Sequence, residues 1–235
     1  PDGEPEATAD FYSEVMTYRK NSMLSFVEGV MTSTNFLKQS EKAISRIRAG
    51  KIQKVVLARD IMAQLPEGFD LRTGLVSLAK KYPSCWVYSV AGNFGASPEL
   101  LVRVSHGQVS ARVLAGTTSR GATAESDVEQ SSALASSEKN LQEHRFAVES
   151  MVEALTPFCS TVDTDEKPFS LALPDLWHLA SDVYGKLKNN ISVLDLAAFL
   201  HPTAAVAGTA RAAAQAMIAE LEPFDRGGYA GPVGW

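Results

Sequence analysis

The chain has 235 residues, 45% of them hydrophobic, which is enough for one large core or two small ones. Its 22 basic and 27 acidic residues give a net charge of −5 with no basic block, so no nucleic-acid partner is expected. No apolar run approaches the roughly 18 residues of a membrane span, and the acidic, turn-forming opening Pro1-Asp-Gly-Glu-Pro-Glu6 is unlike a signal peptide. The two cysteines, Cys85 and Cys159, match no CxxC spacing, which leads us to expect free thiols in a reducing cytoplasm.

Apolar positions at helical spacing predict a helix over residues 10–32 and a second over 34–49, ended by Gly50. Residues 51–62 are rich in β-branched and apolar side chains and read as a strand, with Lys54 on a mostly apolar face. Pro66-Glu-Gly68 is a turn, and Asp70 caps a helix running through Leu71, Leu75, Leu78 and Ala79. A short strand is expected at 86–90, and a hairpin from 100–105 and 108–114 about His106-Gly107. The Thr-, Ser- and Gly-rich run from Gly116 to Asp127 reads as a loop.

A long helix is expected over 129–157, with Leu134, Leu141, Val148, Met151, Val152 and Leu155 as its buried stripe. Pro168 and Pro174 bracket a strand, and Trp177-His-Leu179 opens another. Helices are predicted over 193–200 and 209–221, and the last residues read as the beginning of a strand. Strands and helices mix without regular βαβ alternation, which predicts an α+β fold.

Four places carry side chains suited to chemistry. Lys54 fits a desolvated general base, or equally a packed stem whose ammonium reaches solvent. Glu99 heads a strand and fits either a buried general acid or a solvated turn carboxylate. Glu143 shares a helix face with Ser136, Asn140 and Ala147, opposite the expected apolar stripe. It is either a surface group or a metal ligand working with an anionic substrate. His178 could bind a carboxylate or enolic oxygen, or be a satisfied core residue, and the Gly116-Thr117 turn could offer N–H groups to an anion.

In order and spacing, seven segments resemble one family. They are Lys54-Val-Val-Leu-Ala-Arg59, Ser97-Pro-Glu-Leu-Leu101, Leu114-Ala-Gly-Thr117, Ser137-Glu-Lys-Asn-Leu-Gln-Glu-His144, Leu176-Trp-His-Leu-Ala180, Leu200-His-Pro-Thr203 and Glu220-Leu-Glu-Pro-Phe-Asp-Arg226. The family is that of the chorismate-utilising enzymes, which includes isochorismate, salicylate, anthranilate and aminodeoxychorismate synthases. The likeness runs from about residue 10 to the end. It implies a large, mostly antiparallel sheet with flanking helices, forming a single chorismate-binding domain over 1–235. Relatives carry opening strands before this region. Beyond Gly-Trp they carry an arginine-bearing strand, a glycine-rich turn and a helix with a second metal glutamate. The chain is therefore expected to be partial at both ends.

The resemblance also implies a reaction. Water adds at C2 of chorismate while the C4 hydroxyl leaves, with Lys54 as the base and Glu99 as the acid. Glu143 is a ligand of Mg²⁺, and Gly116, Thr117, His178, Ala205 and Tyr229 face the substrate. Asn140 stands where relatives often place an acidic residue. Amine-transferring relatives usually lack the lysine, and salicylate synthases typically carry threonine where this chain has Ala205, so both positions favour an isochorismate synthase. Tyr229 is the residue more typical of salicylate synthases. A salicylate synthase and a non-catalytic remnant that binds chorismate-like anions stay open as alternatives. Chorismate is the expected partner, with no membrane association, in a monomer or weak homodimer.

Overall fold

A computed structural model describes residues 25–235. The helix expected over 10–32 lies mostly outside the described residues. Within them, Ser25–Glu28 is a strand (β1), paired antiparallel with β3, Ile61–Gln64. The helical spacing of Phe26 and Val30 thus gives way to a ladder in which Phe26 lies opposite Ala63 and Val27 opposite Met62. This pair belongs to a unit that includes Asp60–Pro98. Here Asp70 caps α2 (Leu71–Lys81), accepting from the Arg72 N–H at 2.9 Å, and the helix packs on the hairpin β4 (Trp86–Val90) and β5 (Asn93–Ser97). β5 has no counterpart among the predicted strands. Its turn, Ala91-Gly92, takes positive φ at both residues, the geometry of a two-residue hairpin.

The second unit comprises Met31–Arg59 and Glu99–Trp235. Its frame is a five-stranded antiparallel sheet. β6 (Leu100–Ser105), β7 (Gln108–Ser119), β10 (Leu176–Leu187) and β8 (Cys159–Thr164) follow in that order, and β9 (Phe169–Ala172) also pairs with β10. The expected hairpin forms about His106-Gly107, both at positive φ. Val109, Ala111, Val113 and Ala115 alternate onto one face of β7 and bury against α4 (Glu138–Leu155) and α5 (Val193–Leu200). On the other face Arg112 pairs with its cross-strand neighbour Asp182 at 2.6 Å and lies over the Phe169 ring.

The expected loop over 116–127 shrinks to residues 120–123. Gly116–Ser119 continue β7, because Thr117 and Thr118 find ladder partners in His178 and Trp177. Thr123 and Ser126 then form a reciprocal cap that starts α3 (Ala124–Ser136). The single helix expected over 129–157 is two, since Ser137 leaves helical geometry and caps α4. Along α4 the buried positions are His144, Ala147, Met151 and Leu155. The apolar stripe is therefore turned from the predicted one, and Ala147 lies on the buried side rather than opposite it.

α1 (Ser33–Arg48) and α6 (Arg211–Leu221) share a smaller core of Ala43, Ile52, Ala214, Met217 and Leu221. The strand expected over 51–62 is much shorter: β2 is Lys54–Val55, paired with β11, Gly208–Thr209. Side chains instead hold the backbone just beyond it. Arg226 donates to the Val56 carbonyl and Glu222 accepts from the Ala58 N–H. Residues 231–235 are not the strand their sequence suggests; the turn before them is closed by the Tyr229 and Gly231 N–H groups. No helix among the described residues is long and apolar enough to cross a membrane.

Candidate active site

Lys54 is placed by a very close backbone approach. Gly208 lies opposite Val55, with φ at +141°. A Cβ at Gly208 would stand 2.1 Å from the Lys54 carbonyl oxygen, so only glycine lets the two chains come together here. The lysine side chain is mostly buried, and its Nζ lies 3.3 Å from Glu143 Oε1. Glu143 projects from the second turn of α4 and keeps solvent access, with its side chain 37% exposed.

Glu99 enters from the first residue before β6. It lines a cleft with Val113 of β7, Ala147, Ser150, Met151 and Ala154 of α4, and Leu200, Thr203, Ala205 and Arg211. Burial in these largely apolar surroundings pushes the Glu99 carboxyl up to about 7, against the opposing pull of Lys54. The acid is therefore substantially protonated at neutral pH and lies within the electrostatic reach of the lysine. Glu143 and Ala147 are one turn apart on α4, so the helix delivers the ion pair and a wall of the cleft from adjoining positions.

The Gly116, Thr117 and His178 group lies against the start of the same helix. Thr117 Oγ1 is 2.9 Å from His178 Nδ1, across the β7–β10 ladder. Burial lowers the His178 pKa, so its imidazole is favoured in the neutral form. Gly116 has φ at +84°, and a Cβ there would be 3.2 Å from Asn140 Cβ. His144 holds the register between helix and sheet. Its ring nitrogens lie 3.1 Å from the Ala115 carbonyl and 2.9 Å from Ser181 Oγ. Asn140, at the helix start, points its amide to Ser137 Oγ.

The structure thus joins Lys54 to Glu143, sets Glu99 and Ala205 in one cleft, and groups Gly116, Thr117 and His178. Tyr229 stands apart. It is 66% exposed, in a turn where its N–H donates to the Arg226 carbonyl, and it does not line the cleft. Ser150 and Arg211 line the cleft without having been singled out in the sequence. Arg211 opens α6, the wrong end of a helix for a cation, and that mismatch is its one local signal. Its guanidinium is occupied with the Phe199 and Leu200 carbonyls at the end of α5.

No cluster of three or more His, Cys, Asp or Glu able to hold a metal occurs among the described residues. One accessible carboxylate, joined by an anionic substrate and water, is still a donor set that Mg²⁺ accepts. Glu143 fits a metal held jointly with substrate rather than by a protein cage.

The family described as "Chorismate binding enzyme" matches residues 7–235. Isochorismate synthase DhbC of Bacillus subtilis is 36% identical over 207 residues, covering 83% of this chain and 52% of that protein. Isochorismate synthase EntC of Escherichia coli is 34% identical over 225 residues, covering 93% of this chain and 58% of that protein. Among solved structures, MenF, the menaquinone-specific isochorismate synthase from Escherichia coli, superposes with a TM-score of 0.77 at 25% identity, over 92% of this chain and 52% of that one. Anthranilate synthase component I from Streptococcus pneumoniae gives 0.78 at 26% identity, over 94% and 51%. The chain spans a little over half the length of these curated relatives. The chain belongs to the chorismate binding enzyme family.

Proposed function

We propose that the protein converts chorismate to isochorismate, adding water at C2 while the C4 hydroxyl leaves and the ring double bonds shift. The observation that carries this reading is the acid–lysine pair of one site: Glu99, raised to about 7 by burial, within the field of Lys54. The reaction needs a base for the incoming water and an acid for the departing hydroxyl. Lys54 acts as the neutral amine, once its ammonium proton has been released, and takes a proton from the water. Glu99 gives one to the leaving oxygen, so that a second water departs and the overall change is an isomerisation. The names of the relatives support the same assignment, since DhbC and EntC are isochorismate synthases.

The substrate carries two carboxylates, and its recognition needs local positive charge in an acidic protein. Glu143 would be one ligand of Mg²⁺, which supplies that charge at a substrate carboxylate when bound. His178 and Thr117 offer hydrogen-bonding groups to the substrate, and Ala205 itself adds no hydroxyl to the cleft. Incubation of the protein with chorismate and Mg²⁺, followed by chromatography, tests the reading. Isochorismate is the expected product. Salicylate with pyruvate, or unchanged chorismate, would count against it.

A further inference from the structure

We infer that Glu222 and Arg226 are positioning residues that fix the Lys54 segment against the Ala205 loop, an inference that rests on the reading of Lys54 as the base. Both side chains are withdrawn from solvent, to 2% exposure for Glu222 and 18% for Arg226. They pair four residues apart, just beyond the end of α6: Arg226 Nε is 2.8 Å from Glu222 Oε2 and Nη2 is 2.5 Å from Oε1.

Their remaining hydrogen bonds point to two different segments. Arg226 Nη2 donates to the Val56 carbonyl at 2.7 Å, and the Ala58 N–H donates to Glu222 Oε1 at 2.7 Å. Both backbone groups lie within four residues of Lys54, where the β2 ladder has already ended. Arg226 Nη1 donates to the Val206 carbonyl at 2.9 Å, next to Ala205 in the wall of the cleft. The same two segments touch directly where the Val56 N–H donates to the Ala207 carbonyl at 2.8 Å.

A stability role alone accounts poorly for this arrangement. A buried ion pair costs desolvation, and an apolar replacement of similar volume is often as stable. What apolar groups cannot supply is a rigid fork of donors that meets the Glu222 carboxylate and two backbone carbonyls on separate segments, Val56 and Val206. The arginine fork joins the backbone that carries the base to the backbone that carries a cleft wall. Displacement of either by about 1 Å is enough to reduce turnover about 100-fold without loss of substrate affinity.

The test combines chorismate kinetics with amide hydrogen exchange on Arg226→Lys and Glu222→Gln. Lysine keeps the charge but loses the fork. Glutamine keeps the shape and an acceptor but loses the charge. The expected result for Arg226→Lys is a kcat about 100-fold lower, with KM within about twofold, and faster exchange at the Ala58 amide. Glu222→Gln is expected to shift the same quantities in the same direction by less. A folded Arg226→Lys protein with wild-type kcat, or one with raised KM and unchanged kcat, would overturn the inference. If Arg226→Lys does not fold, Glu222→Gln decides by the same criteria. If the unaltered protein makes no isochorismate, the reaction reading fails separately. Exchange at Ala58 then decides the clamp, and unchanged protection in the variants refutes it.

Discussion

Lys54 Nζ lies 3.3 Å from Glu143 Oε1, which ties a two-residue strand to the second turn of the helix that walls the cleft. The pair brings together residues 89 positions apart, a base and a metal ligand in the reading above. Lys54→Ala is expected to reduce turnover of chorismate at least about 100-fold, the usual scale for removing a positioned proton-transfer group. The fold should survive, because β2 is held by its backbone and Glu143 regains solvent. Circular dichroism with product analysis checks both parts, and a variant retaining near-normal activity would remove Lys54 from the mechanism.

Glu99 gives the reaction a pH signature. Its pKa of about 7 lies above the ordinary 4.5, so the native protein holds a proton that the unfolded chain has released. The corresponding stability is fully present below about pH 4.5 and is lost as pH rises to about 7, on the order of 3 kcal/mol over that window. Glu99→Gln, fixed as neutral, should flatten this component of the unfolding free energy measured by denaturant titration across the same range. The acid must also be protonated to act, so kcat/KM should decline as pH rises through about 7, and the glutamine variant should be inactive at every pH.

Gly208 is expected to be intolerant of substitution. A Cβ there meets the Lys54 carbonyl, and φ at +141° is unfavourable for an L side chain. Gly208→Ala should cost at least about 1–3 kcal/mol of stability from backbone strain. The strand that carries Lys54 has to give way, so turnover should fall as well. Thermal melts and kinetics on the same preparation measure the two effects, and an alanine variant with wild-type values for both would contradict the close approach.

His144 bridges sheet and helix from a site only 2% exposed. His144→Ala leaves a cavity and the Ser181 hydroxyl without its ring partner, a loss of about 2–4 kcal/mol. Urea unfolding at pH 7.5, where the ring is neutral in both states, measures it. His144→Gln, which can keep one polar contact, should lose less.

The legible parts of the fold were those with local signals. The His106-Gly107 hairpin, the Asp70 cap and α5 follow from turn chemistry and periodicity within a few residues. Gly116–Ser119 reads as loop because Thr, Ser and Gly carry no strand periodicity. Those residues become strand only through partners on β10, about 60 positions later in the chain. The break at Ser137 is one capping residue in a run that otherwise favours helix. In the site, Lys54 and Glu143 were each visible as residues, and their ion pair depends on packing no local pattern encodes. Tyr229 illustrates the reverse: implied by the resemblance to face the substrate, its side chain is exposed and does not line the cleft. The Glu222–Arg226 pair was visible within a motif, while its role beside Lys54 depends on backbone groups about 170 positions away.

The central claim is that water is the nucleophile at C2, delivered by Lys54 as Glu99 protonates the departing oxygen. Incubation of the protein with chorismate in oxygen-18 water, with mass analysis of the earliest product, tests it most directly. The expected product is isochorismate carrying one solvent oxygen as its C2 hydroxyl, formed at least about 100-fold more slowly when Lys54→Ala replaces the unaltered protein. Unlabelled isochorismate would show that the hydroxyl moved without solvent and would contradict the assigned roles of both residues.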